Sequence, residues 1–576
     1  MVAASDRVAL PSRWDACVFA AKAWGLRLRR GVRDRLRDEV AFHAPGHALA
    51  DAPLLAEFRD GLWPLDEVDA RLVAGKLQNL RLAIRRLHAI EPGAGAGFSF
   101  WRQVGRATAL RKFAQGRELR EGCVIPAVGG GLCQLSGAIY DCAVRAGLTV
   151  LERHRHSRVI PGSLAEYDRD ATVFWNYMDL RLAADFPWRL EVRMDADTLT
   201  VAIRGHRAQA SAAVPVAMRR RADAGAGRDG DCATCEQDDC HRHIGKRASA
   251  QRRVWLADEE WPEFEAYRRV HAADGDRVLR RTDGWTQRLG LCRARIVRRY
   301  LLWRRQPLPQ ARQRSDALTA RGYGDRLTPN DLDLVVPQPL LLHLWRAGVL
   351  AGRRYDVLMT ALPMHEIQRR LDAAARSHAQ SPTLVDFRAD PALIAAERDA
   401  LAQAQRWITP HAQIADLAGA RALRLPWQVP EVRARSEAAN PTAVSASGVS
   451  RSVFFAASSL ARKGVYEFRQ AIEGLNLRVL LPPGAWEAAD LWDGFDVERV
   501  ATYGDGVACA DVVALPAWIE HQPRGLLLAI AAGKPIVATA ACGLGDDLPW
   551  HRVECGDVDG LRAAILRALG DAPSAS

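Results

Sequence analysis

Lysine is scarce in this 576-residue sequence: of 80 cationic side chains only six are lysine, at positions 22, 76, 112, 246, 463 and 534, and the rest are arginine. The net charge of +12 therefore brings no lysine-rich stripe, and arginine clusters such as Arg219-Arg220-Arg221 and Arg298-Arg299 are short and scattered among acids. With no recognition motif behind it, the charge argues against nucleic acid and suits a phosphate-bearing or polyanionic substrate. The arginine bias, with abundant alanine, reads as a GC-rich genome. No apolar run reaches the length that spans a bilayer. Ala16 to Ala23 is short and broken by Lys22, so no export signal is expected there. The eleven cysteines have no even spacing, which excludes a disulfide framework and points to a reducing, cytoplasmic setting. Solenoid periods are absent too.

What is present is enough apolar residue, 48% hydrophobic against 26% charged, for several cores. The length implies three or four domains. Residues 1–70 are helix-rich; within them Trp24 to Arg37 reads as a solvated basic helix face, with a peripheral membrane contact as the alternative. Residues 71–215 form an α+β segment ending in the alternating strands Trp188–Met194 and Leu199–Arg204. A Gly/Ala/Asp linker with a Cys/His cluster occupies 216–250. From 251 the pattern becomes short apolar strands separated by helices, the mark of an α/β layer structure. It divides into 251–432, a polar linker at 433–450, and 451–576. Candidate strands include Arg253–Leu256, Asp333–Val336, Asp356–Thr360, Thr383–Phe387, Arg406–Thr409, Ser452–Ala456, Leu477–Leu481, Val497–Ala501, Asp511–Leu515 and Pro535–Thr539.

Chemistry concentrates in Gly129-Gly130-Gly131-Leu132-Cys133-Gln134-Leu135-Ser136. Leu135, Ile139, Cys142 and Ala143 recur at helical spacing, so Cys133 is expected in the first turn of a helix. There the positive end of the macrodipole favours a thiolate, and the glycines free backbone amides for an oxyanion. Leu148 to Ile160 reads as a strand whose period-two alternation puts Glu152, His154 and His156 on one face. That supplies a candidate base, His154 or His156, and a carboxylate to orient it.

GGGLCQLS and Glu152-Arg153-His154-Arg155-His156-Ser157, with Lys76-Leu77-Gln78-Asn79-Leu80, Gly97-Phe98-Ser99-Phe100-Trp101, Asp170-Ala171-Thr172 and Asp179-Leu180-Arg181, resemble the VanW family over about residues 70–205. The family takes its name from a vancomycin-resistance cluster, and some VanW domains are associated with peptidoglycan cross-linking of the L,D-transpeptidase type. The resemblance implies that Cys133 is the nucleophile, with His154 or His156 as base. A cytoplasmic location conflicts with that activity, because mature peptidoglycan lies across the membrane.

Between the two halves, Cys232, Cys235, Cys240 and His243 offer C-x2-C-x4-C-x2-H. Four soft or borderline ligands in a polar linker suit a tetrahedral structural zinc site, and an iron–sulfur cluster could use the same cysteines. Free thiols in a loop are the plain alternative.

Residues 251–576 resemble a GT-B glycosyltransferase, two Rossmann-like lobes with a cleft. Ala461-Arg462-Lys463-Gly464 is similar to the element that holds donor phosphates in retaining members, and a lysine beside helix amides suits a pyrophosphate. Glu520-His521-Gln522-Pro523-Arg524-Gly525, expected to begin a helix, resembles the start of the family's E-x7-E segment, with Glu520 as the first glutamate. The resemblance thus implies a nucleotide-sugar site at Lys463, Gly464, Glu520 and Gly525. Two departures stand out: Leu528 replaces the second glutamate, and Ser458 falls near the usual arginine. His411 reads as a satisfied loop histidine, with a cleft role as the alternative.

The expectation is a multidomain α+β and α/β protein of cell-envelope or surface-polysaccharide synthesis. It would transfer sugar from a nucleotide sugar to an envelope glycan or peptide precursor, with cysteine-dependent acyl transfer in the VanW-like domain. The alternatives are a non-catalytic VanW module that binds wall precursors, beside an active or a degenerate GT-B domain.

Overall fold

The computed structural model describes residues 13–37, 40–63, 70–120, 123–156, 163–175, 177–206, 230–231, 252–257, 261–280, 308–385, 388–431 and 451–570, and isolated positions 296 and 299. Cys232, Cys235, Cys240 and His243, the proposed metal ligands, lie outside the described residues. Contacts divide the chain into two units: residues 1–252 with 327–333 and 348–354, and the remainder.

In the first unit, strands β1 (Leu54–Gly61), β7 (Trp188–Met194) and β8 (Thr198–Gly205) form an antiparallel sheet in the order β1-β8-β7. Helices α2 (Ala70–Leu87) and α4 (Leu132–Ala146) pack on it. The helical spacing of α4 is borne out by burial: Leu135, Ile139, Cys142 and Ala143 are all fully buried. Three antiparallel pairings frame this core. β2 (Phe98–Ser99), followed by the short helix α3 (Phe100–Val104), and β5 (Thr149–Glu152) flank β6 (Arg181–Ala183), and β3 (Gln115–Arg120) pairs with β4 (Cys123–Val128), whose other edge takes β9 (Gly230–Asp231) in parallel. The long strand expected over 148–160 ends at Glu152. Beyond it the backbone is captured by the 168–172 segment, through Thr172 N–H to His154 O (2.6 Å) and Arg153 Nε to Asp170 O (2.8 Å). Period-two alternation therefore stops before it reaches His156.

An N-terminal helix, α1 (Arg13–Arg37), lies on this unit by a polar face. Arg27 donates to Trp175 O (2.6 Å), Arg30 to Tyr177 O (2.8 Å) and to Glu152, and Asp34 receives Arg181 (2.7 Å).

The second unit holds two six-stranded sheets. The first, from β10 (Arg253–Ala257), β11 (Arg277–Arg280), β12 (Asp333–Pro337), β13 (Arg354–Leu358), β14 (Trp407–Thr409) and β15 (Ala422–Arg424), has the order β11-β10-β12-β13-β14-β15. The second is formed by β16 (Arg451–Phe455), β17 (Leu477–Leu481), β18 (Asp496–Arg499), β19 (Val512–Leu515), β20 (Ile536–Thr539) and β21 (His551–Val553), in the order β18-β17-β16-β19-β20-β21, parallel throughout. Counted from β16 this is 3-2-1-4-5-6, the doubly wound dinucleotide-fold order. Its central strands are buried on both faces: Val453, Phe454, Phe455, Val512, Val513 and Ala514 are inaccessible.

Thr383–Phe387, expected as a strand, contains a short 3-10 turn at Thr383–Val385. Its polar groups are drawn to one carboxylate, because Ser381 and Thr383 hydroxyls both donate to Glu487, the latter at 2.7 Å. No described helix is long and apolar enough to cross a membrane.

Candidate functional site

Cys133 occupies the second position of α4, whose N-cap is Gly131 at φ 92°. Only glycine fits at that cap, since a Cβ there would lie 2.3 Å from Lys76 Cγ and the backbone is left-handed. The glycine loop is held from below by Asn79, which is fully buried. Its Nδ2 donates to Ala114 O (3.0 Å) and Gly130 O (2.9 Å), and its Oδ1 accepts from Ala114 N–H (2.8 Å). The neighbouring Lys76 donates to Leu62 O, and burial pushes its ammonium down to about 8. The amides of Gly129 and Gly130 are already spent on Ala114 O (3.1 Å) and Ala127 O (2.9 Å). In the first turn of α4 the Gln134 amide is bonded to Gly131 O (3.2 Å), which leaves the Leu132 and Cys133 amides ahead of the first intrahelical acceptor.

Of the two histidines it is His156 whose imidazole interacts with the Cys133 side chain, and Cys133 Sγ also lies 3.8 Å from Val173 O. The His156 Nδ1 meets Asp170 Oδ2 at 2.5 Å, and the same oxygen accepts the His156 backbone N–H at 2.7 Å. With Nδ1 committed to the carboxylate, Nε2 is the nitrogen left for sulfur. Burial pushes the ring down, but the hydrogen bonds to Asp170 and Cys133, with their charges, outweigh it and carry His156 up to about 10. Asp170 is only 4% exposed, and the His156 contacts and Arg153 nevertheless hold its carboxyl below the ordinary range against burial. Arg153 binds Asp170 Oδ1 (3.1 Å) and stacks over Tyr140. Ser136 ties α4 to the same segment through Ala171 O (2.6 Å). Cys133, His156 and Asp170 thus stand in one row, thiol to imidazole to carboxylate.

His154 and Glu152 lie in a different cluster. His154 Nε2 meets Glu152 Oε1 at 2.9 Å, and Glu152 also receives Arg30 (2.9 Å) and the Asp179 amide (3.2 Å). Despite burial, Arg30 and His154 hold Glu152 below its usual range. These side chains line a polar cavity of about 430 Å³ with Arg33 and Arg181. Glu152 therefore orients His154, while the ring facing Cys133 is oriented by Asp170. Spacing could not name Asp170, fourteen residues away, although its DAT motif was visible. On the same helix Cys142 is buried against Val201 O (3.2 Å), and burial pushes its thiol up to about 12.

In the second unit the loops after β16 and β19, the strands at which the sheet order reverses, bring Lys463 and Glu520 together. Lys463 Nζ lies 2.9 Å from Glu520 Oε2 and donates to Ile519 O at 2.9 Å. Glu520 Oε1 accepts the His521 and Gln522 amides, both at 2.9 Å. Burial raises the Glu520 carboxyl, and Lys463 with these amides brings it back below the ordinary value. Gly464 has φ 77° and caps the helix Val465–Ile472; a Cβ there would sit 2.0 Å from Pro516 O. Ala461–Lys463 is a 3-10 turn, and the helix expected from Glu520 begins at Arg524 (Arg524–Ala531). Gly525 is packed against Tyr503 and Ala456, and Leu528 faces the apolar core where the second glutamate was expected. His411 is a satisfied structural histidine: Nδ1 accepts from Ile414 N–H (3.4 Å), Nε2–H donates to Glu520 O (2.9 Å), and burial pushes it down to about 4.

Residues 75–204 match the family model described as VanW like protein. Over 96 residues the chain is 32% identical to the uncharacterized protein YoaR of Bacillus subtilis (strain 168), covering 17% of this chain and 31% of that protein. Over 115 residues it is 30% identical to the vancomycin B-type resistance protein VanW of Enterococcus faecalis (strain ATCC 700802 / V583), covering 19% of this chain and 41% of that protein. Among solved structures, Anabaena HepE in complex with UDP and glucose aligns over 56% of this chain and 90% of its own, at 15% identity and a TM-score of 0.33. Sucrose-phosphate synthase from Thermosynechococcus elongatus aligns over 45% and 68%, at 15% identity and a TM-score of 0.32.

Proposed function

We propose that the VanW-matched domain performs cysteine-dependent acyl transfer on a cell-envelope precursor, and that the second unit binds a nucleotide sugar and transfers its sugar in the same synthesis. The acyl-transfer reading is carried by one observation: the His156 imidazole interacts with the Cys133 side chain while its Nδ1 is held by the Asp170 carboxylate. A buried imidazolium oriented in this way supplies the positive charge that a sulfur nucleophile needs. Cys133 Sγ, as the thiolate whose proton His156 holds, attacks an amide carbonyl carbon and forms a C–S bond, while the first-turn amides of α4 receive the oxyanion. His156 then protonates the departing amine as the C–N bond breaks, and an acceptor amine releases the thioester by the reverse sequence. The test is alkylation of Cys133 by an electrophilic probe in the wild type, His156→Ala and His154→Ala. Equal rates in all three would sink the relay.

The sugar-transfer reading is supported by the position of Lys463, Gly464 and Glu520 at the carboxyl ends of β16 and β19, where doubly wound sheets bind ligands. The buried His521 Nε2 beside them has no hydrogen-bond partner among the described residues. A nucleoside diphosphate would compete with Glu520 for Lys463. A thermal shift with UDP-, GDP- and ADP-sugars tests this, since a ligand of the folded state raises the melting temperature. No shift with any of them leaves a degenerate lobe, the reading that Leu528 favours.

A further inference from the structure

Among the described residues, helix α1 is docked by one side. Ala23 and Arg30 are 4% and 6% exposed, and Arg27, Arg30 and Asp34 make the polar contacts already described. At 100° per residue these four positions fall within a 60° sector. Trp14, Trp24, Leu28 and Val32 fall in a separate 80° sector turned away from it, and are 75%, 66%, 56% and 50% exposed. Along one border of that apolar stripe run Lys22, Arg29 and Arg33, all exposed. The helix carries eight basic residues against Asp15 and Asp34, and Asp34 is spent on Arg181.

We infer that this outward face of α1 docks the protein on an anionic lipid surface. Two exposed tryptophans, branched aliphatics beside them and a cationic border are what an in-plane interfacial helix presents to headgroups and acyl chains. The charge selects the occupant: a second copy of the chain would bring Lys22, Arg29 and Arg33 against like charge, whereas an anionic membrane complements them. Because Arg30 and Arg27 hold α1 to Glu152, Tyr177 and Trp175, docking brings the domain that carries Cys133 to the membrane surface. The inference does not depend on Cys133 being a nucleophile.

The test is co-sedimentation of the full chain with vesicles of phosphatidylcholine alone and of phosphatidylcholine with phosphatidylglycerol. Binding is expected to the anionic vesicles, weakened by salt and reduced by about fivefold for each of Lys22→Gln and Arg29→Gln. In the double variant Trp24→Glu/Leu28→Glu it is lost, while far-ultraviolet circular dichroism is unchanged because neither side chain packs on the core. Equal binding to both vesicle types, no binding at all, or binding that survives the double variant would each overturn the inference. So would a dimer in light scattering that the double variant dissolves, which would assign the face to self-association.

Discussion

The two candidate sites differ in how their charged groups are used. In the first unit His156 stands between Cys133 and Asp170, so each group completes its neighbour, and Cys133 Sγ ends the row beside Val173 O (3.8 Å). In the second unit Lys463 and Glu520 satisfy each other at 2.9 Å, so a ligand must break a contact before it gains one. In the proposed reading the first presents its sulfur to a substrate, and the second is a lock that a diphosphate must open. A motif match conveys neither state, since both follow from what lies beside the motif in space.

The sharpest way to break this contrast is to remove the base. His156→Ala should slow alkylation of Cys133 at neutral pH by about 10-fold or more, because the sulfur loses the positive charge beside it that favours its reactive form. His154→Ala should change the rate by less than about twofold, and Cys142 should stay unlabelled in both; peptide mass spectrometry reads all three. A large His154 effect would restore the Glu152–His154 pair as the working one. On the other side of the comparison, Lys463→Ala strands a Glu520 carboxylate that is mostly shielded from water. It should destabilise the protein by about 3 kcal/mol in denaturant unfolding, and adding Glu520→Gln should recover much of the loss. If Lys463→Ala costs nothing, the pair is not a lock.

Support beneath the relay should matter less, but measurably. Asn79→Ala removes three hydrogen bonds from a fully buried position and should cost about 2 kcal/mol by the same unfolding measurement. It should also slow Cys133 labelling, because the loop that starts α4 loses its floor. Unchanged stability would make KLQNL a mere packing motif.

Much of this was legible in the sequence, for identifiable reasons. Helical spacing placed Cys133 in the first turn of α4, and short apolar runs located β16, β17, β19 and β20 to within about a residue, because both signals are local. The order 3-2-1-4-5-6 needed coordinates, since strand adjacency is a property of the sheet. At the relay, sequence stopped at the choice between two histidines. Alternation assumed that the strand ran on to Ile160, whereas Asp170 and Arg153 pull the chain out of the sheet after Glu152. His154 stays with Glu152 and Arg30, and His156 turns to sulfur. Arg30 itself looked like part of a solvated face, because nothing in helical periodicity reveals a carboxylate 122 residues away.

The smallest expected effect tests that capture directly, through pH. His156 is raised to about 10 from an ordinary value near 6.5, so protonation favours the folded state. Its contribution to stability is complete below about pH 6.5 and is lost as pH rises through about 10. Asp170→Asn removes the carboxylate charge and should return the ring toward its ordinary value. Histidine proton shifts followed by NMR should then show His156 titrating several pH units earlier than in the wild type. Unfolding measured at pH 6.5 and again near pH 10 should show a decline in the wild type, on the order of 1 kcal/mol or more, that the variant largely lacks. Should the variant's ring keep its high value, the raised proton affinity comes from sulfur, and Asp170 is a positioning residue that sets the direction of the imidazole without supplying its charge.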